Sequence, residues 1–139
     1  MRALFLTILL SFIIKSVPLF SQNSNQHPID KWLNDCITQN QSTTEMLECA
    51  KEAYTKWDKE LNNAYKELMK LLDSNSQKKL KESQKIWLKY RDEEFSFIEQ
   101  LYSTKEGTMY LPMRYFDMIE IIKNRVLILK NYIQVLKDM

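Results

Sequence analysis

The sequence predicts an all-α protein, a small up-down helical bundle of three long helices and a short N-terminal helix. Its 139 residues include a single glycine, Gly107, whereas tight β-turns and phosphate-binding loops both need glycine. Leu, Lys, Glu and Gln are abundant, and all four favour helices. Apolar residues also recur every three or four positions along three long stretches, which is the spacing of bundle helices.

The apolar spacing and the helix breakers place the helices in order along the chain. Ser42 and Glu45 have the spacing of a capping box before the second helix. Pro112 suits the first turn of the fourth. The predicted helices run approximately over Ile29–Thr38, Thr44–Leu72, Gln77–Tyr102 and Pro112–Lys137.

The pattern of residues 1–21 predicts a secretory signal peptide. Arg2 precedes an apolar run from Ala3 to Ile14, which is too short to span a bilayer comfortably, and Pro18 follows it. An uncleaved anchor is the alternative. Residues 22–28 predict a flexible leader in which the only histidine, His27, is solvated. Residues 29–139 then form one helical domain, exported to the periplasm or secreted.

Cleavage after Ser21 would leave a chain of zero net charge. The full sequence has 20 Lys+Arg and 18 Asp+Glu, and the signal peptide carries Arg2 and Lys15 but no acid. A neutral chain has no basic field to attract nucleic acid. We also expect no stable membrane insertion after cleavage.

Cys36 and Cys49 are the only cysteines. An even number of cysteines in an oxidising compartment favours a disulfide, and two reduced thiols are the alternative. The bridge would staple the first helix to the second, and a loop of this size contributes roughly 3 kcal/mol in the chain-entropy model.

The short turn at Asp73–Ser76 predicts that the second and third helices are antiparallel neighbours. This register places Asp58 opposite Arg91, so we expect a partly buried ion pair between them, because a buried guanidinium needs a partner. The alternative is that both are solvated. We call the predicted set of facing residues the clasp: Asp58, Asn62, Tyr65, Gln84, Trp87 and Arg91.

The order and spacing of these residues resemble the N-terminal domain of the lysozyme inhibitor LprI family. The pattern is a cysteine, a Thr-rich cap, a second cysteine, Asp-x-x-Leu-Asn-x-x-Tyr, Gln-x-x-Trp-x-x-Tyr-Arg-Asp and a late arginine. The matching residues are Cys36, Thr43 to Met46, Cys49, Asp58, Leu61, Asn62, Tyr65, Gln84, Trp87, Tyr90, Arg91, Asp92 and Arg125.

The resemblance implies an exported, helical, non-enzymatic protein, and for the family's named member it implies inhibition of lysozyme. One departure stands out. The family often has a second cysteine pair, where this chain has Phe95 and either Phe116 or Asp117. Packing of Phe95 against the fourth helix would then replace part of what that disulfide supplies.

The residues themselves give no sign of catalysis. The sequence lacks HExxH, a Cys/His pair, a nucleophile elbow and a cluster of metal ligands, so we expect neither an enzyme nor a cofactor or metal. One hypothesis is a protein that binds a lysozyme and blocks its cleft through the loop from Thr104 to Arg114, with Lys105, Tyr110 and Arg114 as candidate contacts. That stretch could instead be a simple connector. The alternative function is a structural or interaction module of the cell envelope that does not inhibit lysozyme.

Overall fold

The computed structural model describes residues 26–40 and 42–138. Four helices account for most of this part of the chain, which contains no strand, and the predicted all-α fold is confirmed. The expected signal peptide and most of the expected leader lie outside the described residues. The helices are α1 (Pro28–Gln39), α2 (Thr43–Leu71), α3 (Ser74–Ser103) and α4 (Tyr110–Lys137).

The starts of α2 and α3 follow from side chains that satisfy free backbone N–H groups. The capping box is confirmed, since the Ser42 hydroxyl accepts from the Glu45 N–H and the Glu45 carboxylate accepts from the Ser42 N–H. Asp73 accepts from the N–H groups of Asn75 and Ser76. The helix α3 therefore starts three residues earlier than predicted, and Leu72–Asp73 is all that joins it to α2.

The prediction of a solvated His27 in a flexible leader is wrong for this residue. Its Nδ1 accepts a hydrogen bond from the Ile29 N–H at 3.3 Å, so His27 is the N-cap of α1, and Pro28 occupies the first helical position. Its ring also lies 4.3 Å from the ring of Trp57, centre to centre. The fold thus includes His27 and Pro28, which precede the predicted domain boundary at residue 29.

The predicted disulfide between Cys36 and Cys49 is confirmed, with the two Cα atoms 6.0 Å apart. It holds the end of α1 near the start of α2, while His27 at the other end of α1 contacts Trp57. The two helices are therefore antiparallel. The disulfide and the aromatic contact fix α1 at both ends.

The main core lies between α2 and α4. These two helices run parallel. Glu60 pairs with Lys130, and two helical turns further along both helices Glu67 pairs with Lys137 at 2.7 Å. The apolar faces of both helices are almost fully buried. The core residues on these two helices are Ala53, Trp57, Leu61, Ala64, Leu68, Ile119, Ile122, Val126, Leu129 and Ile133.

The helix α3 lies against α4 rather than α2. Only Leu80, Gln84 and Ile98 of its 30 residues are buried. Although a two-residue connector joins α3 to α2, these helices make little contact with each other. A groove therefore opens between α2 and α3.

Candidate functional site

The loop between α3 and α4, residues 104–109, brings the three predicted contact residues together. Lys105 lies in the loop, and Tyr110 and Arg114 lie one turn apart at the start of α4, on one face of the helix. All three line a pocket of about 190 Å³. We call Lys105, Tyr110 and Arg114 the loop site.

A glycine and a hydrogen bond shape this end of the molecule. Gly107 has φ +109°, a conformation that residues with a Cβ rarely adopt. Tyr102, near the end of α3, donates its hydroxyl to Asp117 of α4 at 2.6 Å, and this bond raises the pKa of Tyr102. The Tyr102 ring also lies 6.1 Å from the Tyr110 ring. The loop therefore starts and ends on helices that are tied together beneath it.

The two cations of the loop site have no acidic partner within the described residues. Neither Lys105 nor Arg114 has a carboxylate oxygen within 4.0 Å. The Nε of Arg114 is buried and has no hydrogen-bond partner there, while its guanidinium lies 5.5 Å from the Tyr115 ring centre. A guanidinium fork matches a carboxylate in geometry and charge. The site can thus supply two cationic donors and a phenol to an acidic, hydroxyl-rich cleft.

Five of the six residues predicted to form the clasp, all but Trp87, line an open groove instead. Asp58, Asn62 and Tyr65 on α2 face Gln84 and Arg91 on α3. The groove between them has a volume of about 620 Å³. The register predicted from the turn therefore places these residues on facing sides of the two helices. Because α3 packs against α4, these residues do not meet across the groove.

The expected ion pair between Asp58 and Arg91 is absent. The Arg91 guanidinium binds the neighbouring Asp92, with Nε and one terminal nitrogen 2.9 and 2.6 Å from the same carboxylate oxygen. It also lies 5.8 Å from the Trp87 ring centre. The Asp58 carboxylate accepts from the Asn62 amide of its own helix at 3.4 Å. Each residue is therefore satisfied on its own side of the groove.

The buried arginine of this fold is Arg125, whose structural role the sequence did not reveal. Its Nε donates to the Gln84 side-chain oxygen at 3.0 Å, and a terminal nitrogen donates to the Ser83 hydroxyl at 3.4 Å. Burial lowers its pKa. One signal was available, since Arg125 lies three residues after Ile122 and therefore falls on the apolar side of α4.

Phe95, which the sequence predicts to pack against the fourth helix, lies next to an aromatic residue of α2. Its ring lies 6.0 Å from that of Tyr54 on α2, and Tyr54 in turn lies 5.9 Å from Tyr115 on α4. This aromatic cluster joins all three long helices near the loop site. The described residues contain no free cysteine and no group of three potential metal ligands.

Comparison with known proteins identifies the family. The model of the lysozyme inhibitor LprI family matches residues 35–129, which run from the end of α1 through α2 and α3 and into α4. The chain belongs to the lysozyme inhibitor LprI family. Proteins of this family are inhibitors rather than enzymes and are in general extracytoplasmic.

A solved structure supports the same fold. A crystal structure of an uncharacterized protein from Burkholderia thailandensis superposes with a TM-score of 0.71 at 28% sequence identity, over 78% of this chain. The match covers 54% of that protein, so this LprI family chain spans about half its length. No curated protein matches the chain. None of the described helices is both long and apolar enough to cross a membrane.

Proposed function

We propose that this LprI family protein is an exported, non-enzymatic inhibitor that binds a lysozyme and blocks its active-site cleft with the loop site. The observation that carries the proposal is the convergence of Lys105 and Arg114 on one pocket without an acidic partner in the described structure. Glycoside hydrolases of this kind use two carboxylates in a cleft. Lys105 and Arg114 would meet those carboxylates, and Tyr110 would pack against the apolar and hydroxylated walls.

Export with removal of residues 1–21 is part of this proposal. The disulfide supports it, because such bonds persist in oxidising compartments, and so does the extracytoplasmic setting of the family. The mature chain, residues 22–139, is therefore the form to assay. Its zero net charge predicts little electrostatic steering towards a basic lysozyme, so contacts within the cleft should account for most of the affinity.

A lysozyme activity assay with the mature chain tests the proposal. We expect inhibition that weakens at least about 10-fold when Lys105 and Arg114 are both replaced by alanine, since loss of two buried charge contacts exceeds roughly 1.4 kcal/mol. Arg114→Lys should recover only part of the loss because it lacks the planar fork.

The matched control is Lys70→Ala with Lys78→Ala. Both lysines are exposed beside the α2–α3 connector. They lie at the opposite end of α3 from the loop site, and α3 is roughly 45 Å long. Their replacement removes the same two positive charges. If a large molar excess of the mature chain does not inhibit lysozyme, the proposed inhibitor function is rejected. If the Lys105/Arg114 double variant inhibits as well as the unmodified chain, the inhibitor function stands and the assignment of the loop site as its contact is rejected.

The alternative, an interaction module of the cell envelope without lysozyme inhibition, is favoured by one observation, the exposed apolar residues of α3. Affinity capture from an envelope extract with the mature chain as bait would separate the two functions. Recovery of a protein other than lysozyme at native abundance, together with a negative lysozyme assay, would favour the module.

A further inference from the structure

One side of α3 carries four large apolar residues that the fold leaves exposed. The exposed fractions are 70% for Ile86, 51% for Tyr90, 61% for Phe97 and 42% for Leu101. At 100° per residue they lie within a sector of about 60°, and they extend over about 22 Å. We call these four residues the α3 stripe. Single exposed apolar residues are ordinary, whereas four on one side of a helix, as two pairs on either side of Glu93 and Glu94, indicate a contact surface.

The stripe is separate from the surfaces already described. The inward positions of α3 are Leu80, Gln84 and Ile98, which lie roughly 90–130° around the helix from the centre of the stripe. Its groove-facing positions, such as Lys81 and Leu88, are further away again. A helix with two apolar sides needs a second partner in addition to its own bundle.

The spacing within the stripe identifies that partner. Ile86 and Leu101 are equidistant from the peptide bond between Glu93 and Glu94, and so are Tyr90 and Phe97. A two-fold interface requires such self-complementarity, because each contact must occur twice. We propose that α3 pairs antiparallel with α3 of a second copy, so that Tyr90 packs on the partner's Phe97 and Ile86 on the partner's Leu101.

The charges beside the stripe fit the same arrangement. Lys89 and Glu93 flank it on one side, both are exposed, and neither forms an ion pair within 4.0 Å among the described residues. In the antiparallel pair Lys89 lies about 7–8 Å along the axis from the partner's Glu93, which the two long side chains can span. Two such pairs would offset part of the repulsion among the Glu93 and Glu94 carboxylates near the axis.

The size of the stripe sets the expected strength. A single pair of helices in contact over about 22 Å buries less than the roughly 1,600 Å² of a standard interface, which places it among weak, transient contacts. We therefore expect a dissociation constant on the order of 10–100 μM, and a dimer that forms only at high concentration.

Analytical ultracentrifugation of the mature chain from about 5 to 500 μM tests the dimer. The expected result is a concentration-dependent dimer that Tyr90→Asp with Phe97→Asp weakens at least 10-fold. Leu71→Asp is the control, since Leu71 is an exposed apolar residue at the end of α2, and it should leave the dimer unchanged. Circular dichroism of each variant checks that the helices persist.

A charge exchange tests the antiparallel register. Lys89→Glu should weaken the dimer, and Lys89→Glu with Glu93→Lys should restore it, because the pairing is then reversed in sign. A chain that stays monomeric at 500 μM would overturn the proposal and assign the stripe to a partner of different sequence. A dimer insensitive to both the stripe substitutions and the charge exchange would overturn it as well.

Discussion

At the residue scale, His27 accepts a hydrogen bond that requires a neutral ring. Its unprotonated Nδ1 accepts the Ile29 N–H, and its ring lies on Trp57. Burial lowers the pKa of His27, with the positive charge of Lys130 as the next cause. The folded protein therefore favours the neutral form, although an exposed histidine would be partly charged below about pH 6.5.

We expect the stability of the protein to fall as the pH drops below about 6.5. A folded pKa below the unfolded value means that the unfolded state takes up the proton first, so the contribution of His27 is present above the unfolded pKa and is lost through the folded pKa. Urea unfolding at pH 7.5 and 5.5 measures this. His27→Asn keeps a capping oxygen without titrating, and it should flatten the difference. An equal pH dependence in both proteins would refute the role of His27, which is the chain's only histidine.

At the element scale, α3 depends on α4 through a small number of polar contacts. Gln84 binds Arg125 near the middle of both helices, and Tyr102 binds Asp117 near the loop site. The guanidinium of Arg125 also lies 5.9 Å from the Trp87 ring centre. Among the described residues no carboxylate lies within 4.0 Å of Arg125, so a neutral amide and an aromatic face take the place of an ion pair.

We expect Gln84→Leu to destabilise the fold by about 1–3 kcal/mol, because it leaves a buried guanidinium nitrogen without its acceptor. Arg125→Leu should also destabilise. The two losses should not add, since the double variant removes both polar partners and leaves an apolar contact. Free energies of unfolding for the two single variants and the double variant complete the cycle. Additive losses would show that the contact does not couple α3 to α4.

At the scale of the whole molecule, the closest helix pair is the parallel pair α2 and α4. Glu60 and Lys130, like Glu67 and Lys137, come from distant parts of the sequence. The ion pair with Lys130 lowers the pKa of the Glu60 carboxyl. The chain is an up-down bundle in which alternate helices, rather than consecutive ones, share the core.

Zero-length cross-linking between carboxylates and amines checks this arrangement. We expect mass spectrometry to recover the Glu60–Lys130 and Glu67–Lys137 links, because each pair is in direct contact. Links from Asp58 to Lys81 or Lys85 should be rare, because these residues lie across the open groove. A preference for links between α2 and α3 would mean that the groove closes in solution and that α3 moves away from α4.

The sequence was sufficient for the features that local chemistry decides. Ser42 and Glu45 placed the start of α2, and Cys36 and Cys49 predicted the disulfide. The 3.6-residue spacing assigned Trp57 and Val126 to buried faces. What it could not decide was the choice of neighbour, because an apolar face does not specify which helix covers it. Gln84 was therefore assigned to α2, whereas its partner, Arg125, lies 41 residues away on α4.

The loop site and His27 also separate what local sequence predicts from what depends on the fold. The break at residues 104–109 was visible from Gly107 and the end of the apolar spacing. The convergence of Lys105 with Tyr110 and Arg114 required the actual path of the chain. His27 gave no periodic signal at all, since its role depends on a single ring contact with Trp57, 30 residues further along.

The parallel pairing of α2 and α4 has a consequence for how the chain folds. Up-down bundles with contacts between consecutive helices have low contact order and fold within microseconds to milliseconds. Here the core forms only when two segments about 70 residues apart meet, with all of α3 in the intervening loop, so the entropy of closing that loop opposes the transition state. Folding should therefore be slow for a helical protein of this size, and substitutions in the α2–α4 core should change the folding rate more than those in α3.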